Sequence, residues 1–173
     1  AIFNINWRDL QINTSTVAGA QPFVANGGTA RSRGFEFEAS AQLSRPWSVT
    51  VGDAFADAKL TEDFAIRTLD LGTGNQTGAV AASGVAGQRT PGTPRHSATV
   101  GSDYRFDLKE DRALVLHIDG TYRSSVLRNL QGTTTNAYMI DGFSLWNASL
   151  AYDTPRWTLT GFVNNAFNAR GIA

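Results

Sequence analysis

Apolar and polar residues alternate with period two through most of the chain, which is the pattern of antiparallel strands with one face against an apolar medium and one against water. Between residues 30 and 43, Phe35, Phe37, Ala39, Ala41 and Leu43 occupy odd positions, while Gly34, Glu36, Glu38, Ser40 and Gln42 fall between them. Residues 96–106 repeat this with Ala98, Val100, Tyr104 and Phe106 against Ser97, Thr99, Asp103 and Arg105. Residues 113–124 set Leu114, Leu116, Ile118 and Tyr122 against His117, Asp119, Thr121 and Arg123. Weaker versions at 1–13, 47–60, 143–152 and 157–167 bring the expectation to roughly seven strands of ten or more residues, longer than the ~5–6 usual in globular sheets. The fold class is therefore all-β. No apolar run is long enough for a transmembrane helix, so a membrane could be crossed only as a β-barrel.

Two strands break the alternation. Phe3, Ile5 and Trp7 are odd but Leu10 and Ile12 are even, which predicts a β-bulge around Arg8 and Asp9. Asp53 shares a face with Val49, Val51 and Phe55, which calls for a second bulge or a partner on a neighbouring strand.

The connections between these strands alternate strictly in length. Residues 14–29, 61–94 and 125–142 are long and rich in Gly, Thr, Asn, Ala and Gln, whereas 44–46, 107–112 and 153–156 are short and hold Pro46, Pro155 and the charged run DLKEDR. Antiparallel strands then gather every long connection at one end of the sheet. Long loops are uncommon in compact domains unless they are functional, and short periplasmic turns alternating with long outer loops are the layout of an outer-membrane barrel. Aromatic residues agree. Trp47 and Trp157 follow short turns and Tyr104, Phe106 and Tyr152 precede them, as an interfacial girdle would. Phe55 and Phe167 lie eight and ten residues beyond Trp47 and Trp157, which projects to roughly 20–25 Å, the height of a barrel's apolar band. Leu116 and Val100 are placed near mid-strand on the lipid face, and Thr99 and Thr121 on the lumen face.

Charge and composition narrow the chemistry. The 15 Lys and Arg balance 15 Asp and Glu without a basic run, so nucleic acid is not an expected partner. Absence of cysteine removes disulfides, Cys-ligated metals and thiol catalysis. Ser97 with His96 and Asp103, or His117 and Asp119 with Ser124, supply nucleophile, base and acid by type, but adjacent strand residues alternate faces and no Gly-x-Ser-x-Gly elbow occurs. His117 and Asp119 share a face, yet two ligands on one strand fall short of a metal site. The string GTGNQTG at 72–78 lacks the Lys-Ser/Thr and the strand-to-helix context of a phosphate loop and reads as a flexible loop. The chain is read as non-enzymatic, with no cofactor and no metal. Glu36, Glu38, Arg105, His117, Asp119 and Arg123 are expected to face a polar lumen or a domain inside it. Phe64, Arg67, Arg89, Arg128 and Tyr138, in the long connections, are the candidate ligand-binding residues.

ARSRGFEFEAS at 30–40, DAKLTED at 57–63, GQRTPGTPRHSATVGSDYRF at 87–106 and FVNNAFNARGIA at 162–173 stand in the order and spacing seen toward the C-terminus of TonB-dependent outer-membrane receptors. The chain resembles that family over nearly its whole length. The resemblance implies an antiparallel transmembrane barrel of about 22 strands around an N-terminal plug domain. Residues 1–173 would be the C-terminal portion of that barrel domain, about the last third of its wall. It further implies a Gram-negative outer membrane, contact with outer-membrane lipid, and import of a scarce small nutrient of siderophore, cobalamin or oligosaccharide type. The energy would come from TonB, ExbB and ExbD, relayed through the plug. Three departures stand out: no plug or TonB-contacting segment, NNAFN at 164–168 in place of the more usual Asn-Asn-Leu-Phe-Asp, and an end at Ala173 without a last strand or terminal aromatic. The alternative is a passive porin or another non-enzymatic barrel such as an adhesin.

Overall fold

The computed structural model describes residues 1–15, 22–69, 73–132 and 138–171. Its strands are β1 (Ile2–Trp7), β2 (Gln11–Ser15), β3 (Pro22–Asn26), β4 (Ala30–Ser44), β5 (Trp47–Leu60), β6 (Phe64–Leu69), β7 (Gln76–Gly84), β8 (His96–Asp107), β9 (Ala113–Arg123), β10 (Val126–Leu127), β11 (Gln131–Gly132), β12 (Met139–Ile140), β13 (Phe143–Asp153) and β14 (Thr158–Val163). Seven of them form one antiparallel sheet in the order β1-β4-β5-β8-β9-β13-β14, open at both edges. The number of strands in the sheet and their order match the alternation, and long and short connections alternate as expected; β1 and β14, at six residues each, are shorter than the ten or more expected, and the first connection begins at residue 8 and not at 14.

The register fixes what each face carries. Phe35 pairs with Phe55 and Phe55 with His96; Ala39 pairs with Val51 and Val51 with Val100. Val100 pairs with Gly120 and Gly120 with Trp146. Partners in a ladder share a face, so these residues define one apolar surface, on which Phe35, Phe37, Trp47, Phe106, Ile118, Tyr122 and Leu150 are exposed. Large exposed apolar side chains on one face of a twisted sheet are stable only against lipid or another apolar surface. Near the short turns, Trp47 pairs with Tyr104, Tyr104 meets Phe106 in a tilted contact at 4.3 Å and Tyr152 meets Trp157 edge-on at 5.5 Å. Toward the long connections, Phe35 stacks on Phe55 at 5.7 Å and Phe55 meets His96 in a tilted contact at 4.8 Å. Two aromatic belts thus bound an apolar band.

Several local expectations change. The first strand leaves the sheet at Trp7: Arg8 and Asp9 form a bend, with Asp9 at φ 54°, and Gln11–Ser15 pairs with Pro22–Asn26 as a separate hairpin. The slip in alternation marks this exit and not a bulge. Phe3, Ile5 and Trp7 pair with Gly34, Ser32 and Ala30, on the face opposite the lipid-type surface. Around Asp53 both ladders run without interruption, and the irregularity of β4–β5 lies at Gln42/Ser44 instead. Asp53 stands on the apolar face and faces His96 Nδ1 at 3.7 Å, the neighbouring-strand partner its position demands. The last strand ends at Val163, and Phe167 follows it in a turn, outside the belt. Leu116 pairs with Tyr104, beside the lower belt and away from mid-strand.

The long connections are not featureless. β6 and β7 pair as a hairpin, β11 joins β7, and β10 pairs with β12. Parts of these connections, at 16–21, 70–72 and 133–137, lie outside the described residues. Their roots return to the sheet: Ala30, Leu60, Leu127 and Leu130 form a buried cluster with Leu10, Ile12 and Phe64 packed against it. Ala30 pairs with Leu60 on the Glu36 face, so this small core sits on the polar side of the sheet, at the end of the long connections.

Candidate functional site: an inner wall and its mouth

The polar face is made by the positions between the apolar ones. Glu36 and Glu38 project beside Ala54 and Gly52, their ladder partners, and with Thr50, Thr99 and the start of β1 they border a depression of about 520 Å³. Small residues opposite the two carboxylates leave both open to water.

Farther along the same face, His117 Nδ1 lies 2.7 Å from Asp103 Oδ1 on β8, and His117 Nε2 lies 3.5 Å from Asp119 Oδ1. Asn147 Nδ2 on β13 donates to Asp119 Oδ2 at 2.8 Å, and Asn147 Oδ1 accepts the Asn165 N–H at 2.9 Å. One polar chain thus ties β8, β9, β13 and the turn after β14. Alternation brings these side chains to one face, and register brings them level. Among the described residues no group of three acidic or histidine side chains has the geometry to hold a metal ion. Asp103 and Asn147 complete a network of which sequence reading had singled out His117 and Asp119. Asn147 was hard to see because Phe143, Leu145 and Ala151 share its face and blur the alternation of β13.

Arg105 binds Asp107 at 2.8 Å and approaches Asp153 at 3.6 Å, which fixes it near the short turns. Arg123, at the other end of that face, donates to the Gly92 carbonyl at 3.5 Å. The residues considered for nucleophilic catalysis separate as alternation requires: His96 stands on the apolar face and Ser97 on the polar one, while Ser124 Oγ is engaged by the His96 N–H.

At the mouth, the five candidate ligand-binding residues divide. Phe64 packs into the buried cluster, and Arg89 donates to the carbonyls of Thr93 at 3.2 Å and Ser125 at 2.9 Å, so both hold the connections in place. Arg67 donates to the Gly78 carbonyl across the β6–β7 hairpin. Residues 76–78 belong to that hairpin's second strand and not to a loop, and among the described residues of the GTGNQTG string only Thr73–Asn75 lie outside a strand, the Asn75 N–H donating to Thr73 Oγ1 at 3.4 Å. Arg128 and Tyr138 come together, the guanidinium 5.9 Å from the ring centre. Arg128 also borders two cavities, one of about 380 Å³ with Gly92, Arg123 and Phe143 and one of about 420 Å³ with Trp7, Ile12 and Leu130. Trp7 was not singled out from sequence, because the exit of β1 that turns it to the mouth read as a bulge.

Comparison with known proteins agrees with this geometry. The ferrichrome outer membrane transporter/phage receptor of Escherichia coli (strain K12) is 28% identical over 156 residues, covering 87% of this chain and 18% of that protein. The chain therefore spans less than a fifth of that relative's length. No solved structure matches it significantly. A profile of the family described as TonB dependent receptor-like, beta-barrel matches residues 1–166. With an apolar band between aromatic belts outside and a polar wall inside, the chain belongs to the TonB-dependent receptor β-barrel family of the Gram-negative outer membrane.

Proposed function

We propose that this chain is the C-terminal part of the barrel wall of an outer-membrane receptor that imports a small nutrient with energy supplied through TonB, ExbB and ExbD. The observation that carries this reading is the mouth. The connections at the long end fold inward and pack on Ala30 and Leu60 of the inner wall, which narrows the entrance where an open pore would be kept clear. A lumen of about 22 strands leaks solutes unless it is plugged, and a plug must be moved by energy from the inner membrane. Glu36, Glu38, His117 and Asp119 are the surface that such a plug would meet. Ligand capture falls to Arg128, which borders both mouth cavities, with Tyr138 against its guanidinium and Trp7 across one of the cavities, while Phe64, Arg67 and Arg89 support them. The transported nutrient is of the siderophore, cobalamin or oligosaccharide type, and the 28% identical ferrichrome transporter favours the first.

The test is uptake by cells expressing the whole protein, with and without the TonB system. Uptake that stops on TonB deletion, with a plug domain encoded upstream, supports import. Uptake at an unchanged rate without TonB overturns it in favour of a passive porin.

A further inference from the structure

Above the upper aromatic belt, the apolar face changes character within two residues. Phe35 and Phe55 pair in the belt; the next outward pair is Arg33 with Asp57, and the one beyond is Arg31 with Lys59. Arg95, beside the start of β8, reaches Asp57 Oδ1 at 2.8 Å, and Lys59 Nζ reaches Asp57 Oδ2 at 2.8 Å. Two cations thus hold one carboxylate, and two more, Arg33 and Arg31, stand beside it on the same face of the ladder. Asp57 is used by Lys59 and Arg95, whereas neither Arg31 nor Arg33 has a carboxylate partner among the described residues; Arg33 Nε donates to Asn4 Oδ1 at 3.1 Å. The acids of the adjoining connection do not compensate. Asp63 accepts the Ala86 N–H, and Glu62 lies against Gly28. Arg31, Arg33 and Lys59 line a cavity of about 380 Å³, which Asp57 itself, Thr61, Ala86 and Gly87 also border.

We propose that this cavity binds a phosphate group of a lipid in the outward-facing leaflet. The inner wall, where a nutrient would pass, is on the other side of the sheet, so these cations are turned to whatever surrounds the barrel. Their height fixes what that is. Steps of two residues along a strand tilted by ~40° raise the side chain by roughly 5 Å, so Arg33 and Arg31 stand about one and two steps above Phe35, at headgroup depth. Unpaired guanidinium groups take phosphate bidentately, and at a bilayer surface each cation adds attraction to anionic lipid. The Phe35 and Phe55 rings below would lie against the acyl chains of the same lipid. The placement depends on the long connections facing outward and not on what the receptor transports.

The experiment titrates the purified full-length protein, stripped of lipid, with diphosphoryl lipid A in mixed micelles. Binding of lipid A should be about tenfold weaker in Arg31→Gln/Arg33→Gln than in the unaltered protein, and unchanged in Lys109→Gln/Arg112→Gln, which removes equal charge at the opposite end. The unaltered protein should lose a similar factor toward lipid A lacking its phosphates, a comparison that needs no variant to fold. Millimolar inorganic phosphate should not displace the lipid. Equal affinity of the Arg31/Arg33 variant and the unaltered protein, or indifference to the lipid's phosphates, overturns the proposal. Displacement by inorganic phosphate overturns it too, and assigns the cavity to a soluble anion.

Discussion

Asn147 and Asn165 are joined side chain to backbone across the end of the sheet, the carboxamide oxygen of Asn147 accepting the Asn165 N–H at 2.9 Å. Asn165 has φ 49°, and its own side chain binds both the N–H and the carbonyl of Ala169, so the turn after β14 is built on this residue. Asn147 spends its other polar atom on Asp119. Replacing Asn147 with Leu removes both bonds and leaves the Asn165 N–H without its partner. The expected loss is about 1–3 kcal/mol of barrel stability, measured by reversible unfolding in detergent or lipid. A variant as stable as the parent would show that the turn holds without the wall.

The two faces should respond differently to charge. Val100 lies between Val51 and Gly120 near the middle of the apolar band, so Val100→Arg should cost about 2–4 kcal/mol. Leu116, beside Tyr104 in the lower belt, should accept Arg at a cost of about 0–1 kcal/mol, because the side chain reaches the interface. Thr99→Arg, on the inner wall, should resemble Leu116→Arg. Equal costs at all three positions would count against a membrane-spanning sheet.

Gly120 is required by its neighbour. A Cβ there would come within 2.7 Å of the Trp146 ring, which lies across the glycine on the apolar face. Gly120→Val should displace the indole and destabilise the barrel by about 1–3 kcal/mol, with a shift in tryptophan fluorescence. Gly161, with open space around its Cβ position, should accept alanine without measurable change.

Orientation can be read on living cells. Glu62 and Ala65 are exposed at the long-connection end and Lys109 at the short-turn end. Cysteines placed singly at Glu62 and Ala65 in the full-length protein should react with an impermeant thiol reagent, and one at Lys109 should not. The reverse pattern would invert the assignment of outside and periplasm, and with it the leaflet that Arg31 and Arg33 address.

The sheet was legible in sequence because an apolar medium on one side and water on the other force an alternation through most strands, and a slip of one residue in register would put every side chain on the wrong face. Strand number, pairing order and the sidedness of Glu36, Glu38, His117 and Asp119 all follow from that. The mouth was less legible. Trp7, Ile12, Leu127 and Leu130 meet through packing between connections distant in sequence, and no periodicity encodes such contacts. The exit of β1 at Arg8–Asp9 shows the same limit, since a bulge and a departure from the sheet leave one trace in the alternation. The Asp103–His117 contact needed the register, which depends on where the turn at 108–112 closes.

The apolar seam at Ala30 and Leu60 divides the outer connections into roots and tips, and the two have different freedom to change during evolution. Any side chain larger than alanine at 30, or smaller than leucine at 60, disturbs several connections at once, because Leu10, Ile12, Phe64, Leu127 and Leu130 rest on the same few atoms. At Gly78, by contrast, nothing lies within 4 Å of where a side chain would start. Mutations can therefore accumulate at the tips while the roots stay fixed. A wall built this way can change the chemistry of its tips without disturbing the contacts that hold its fold.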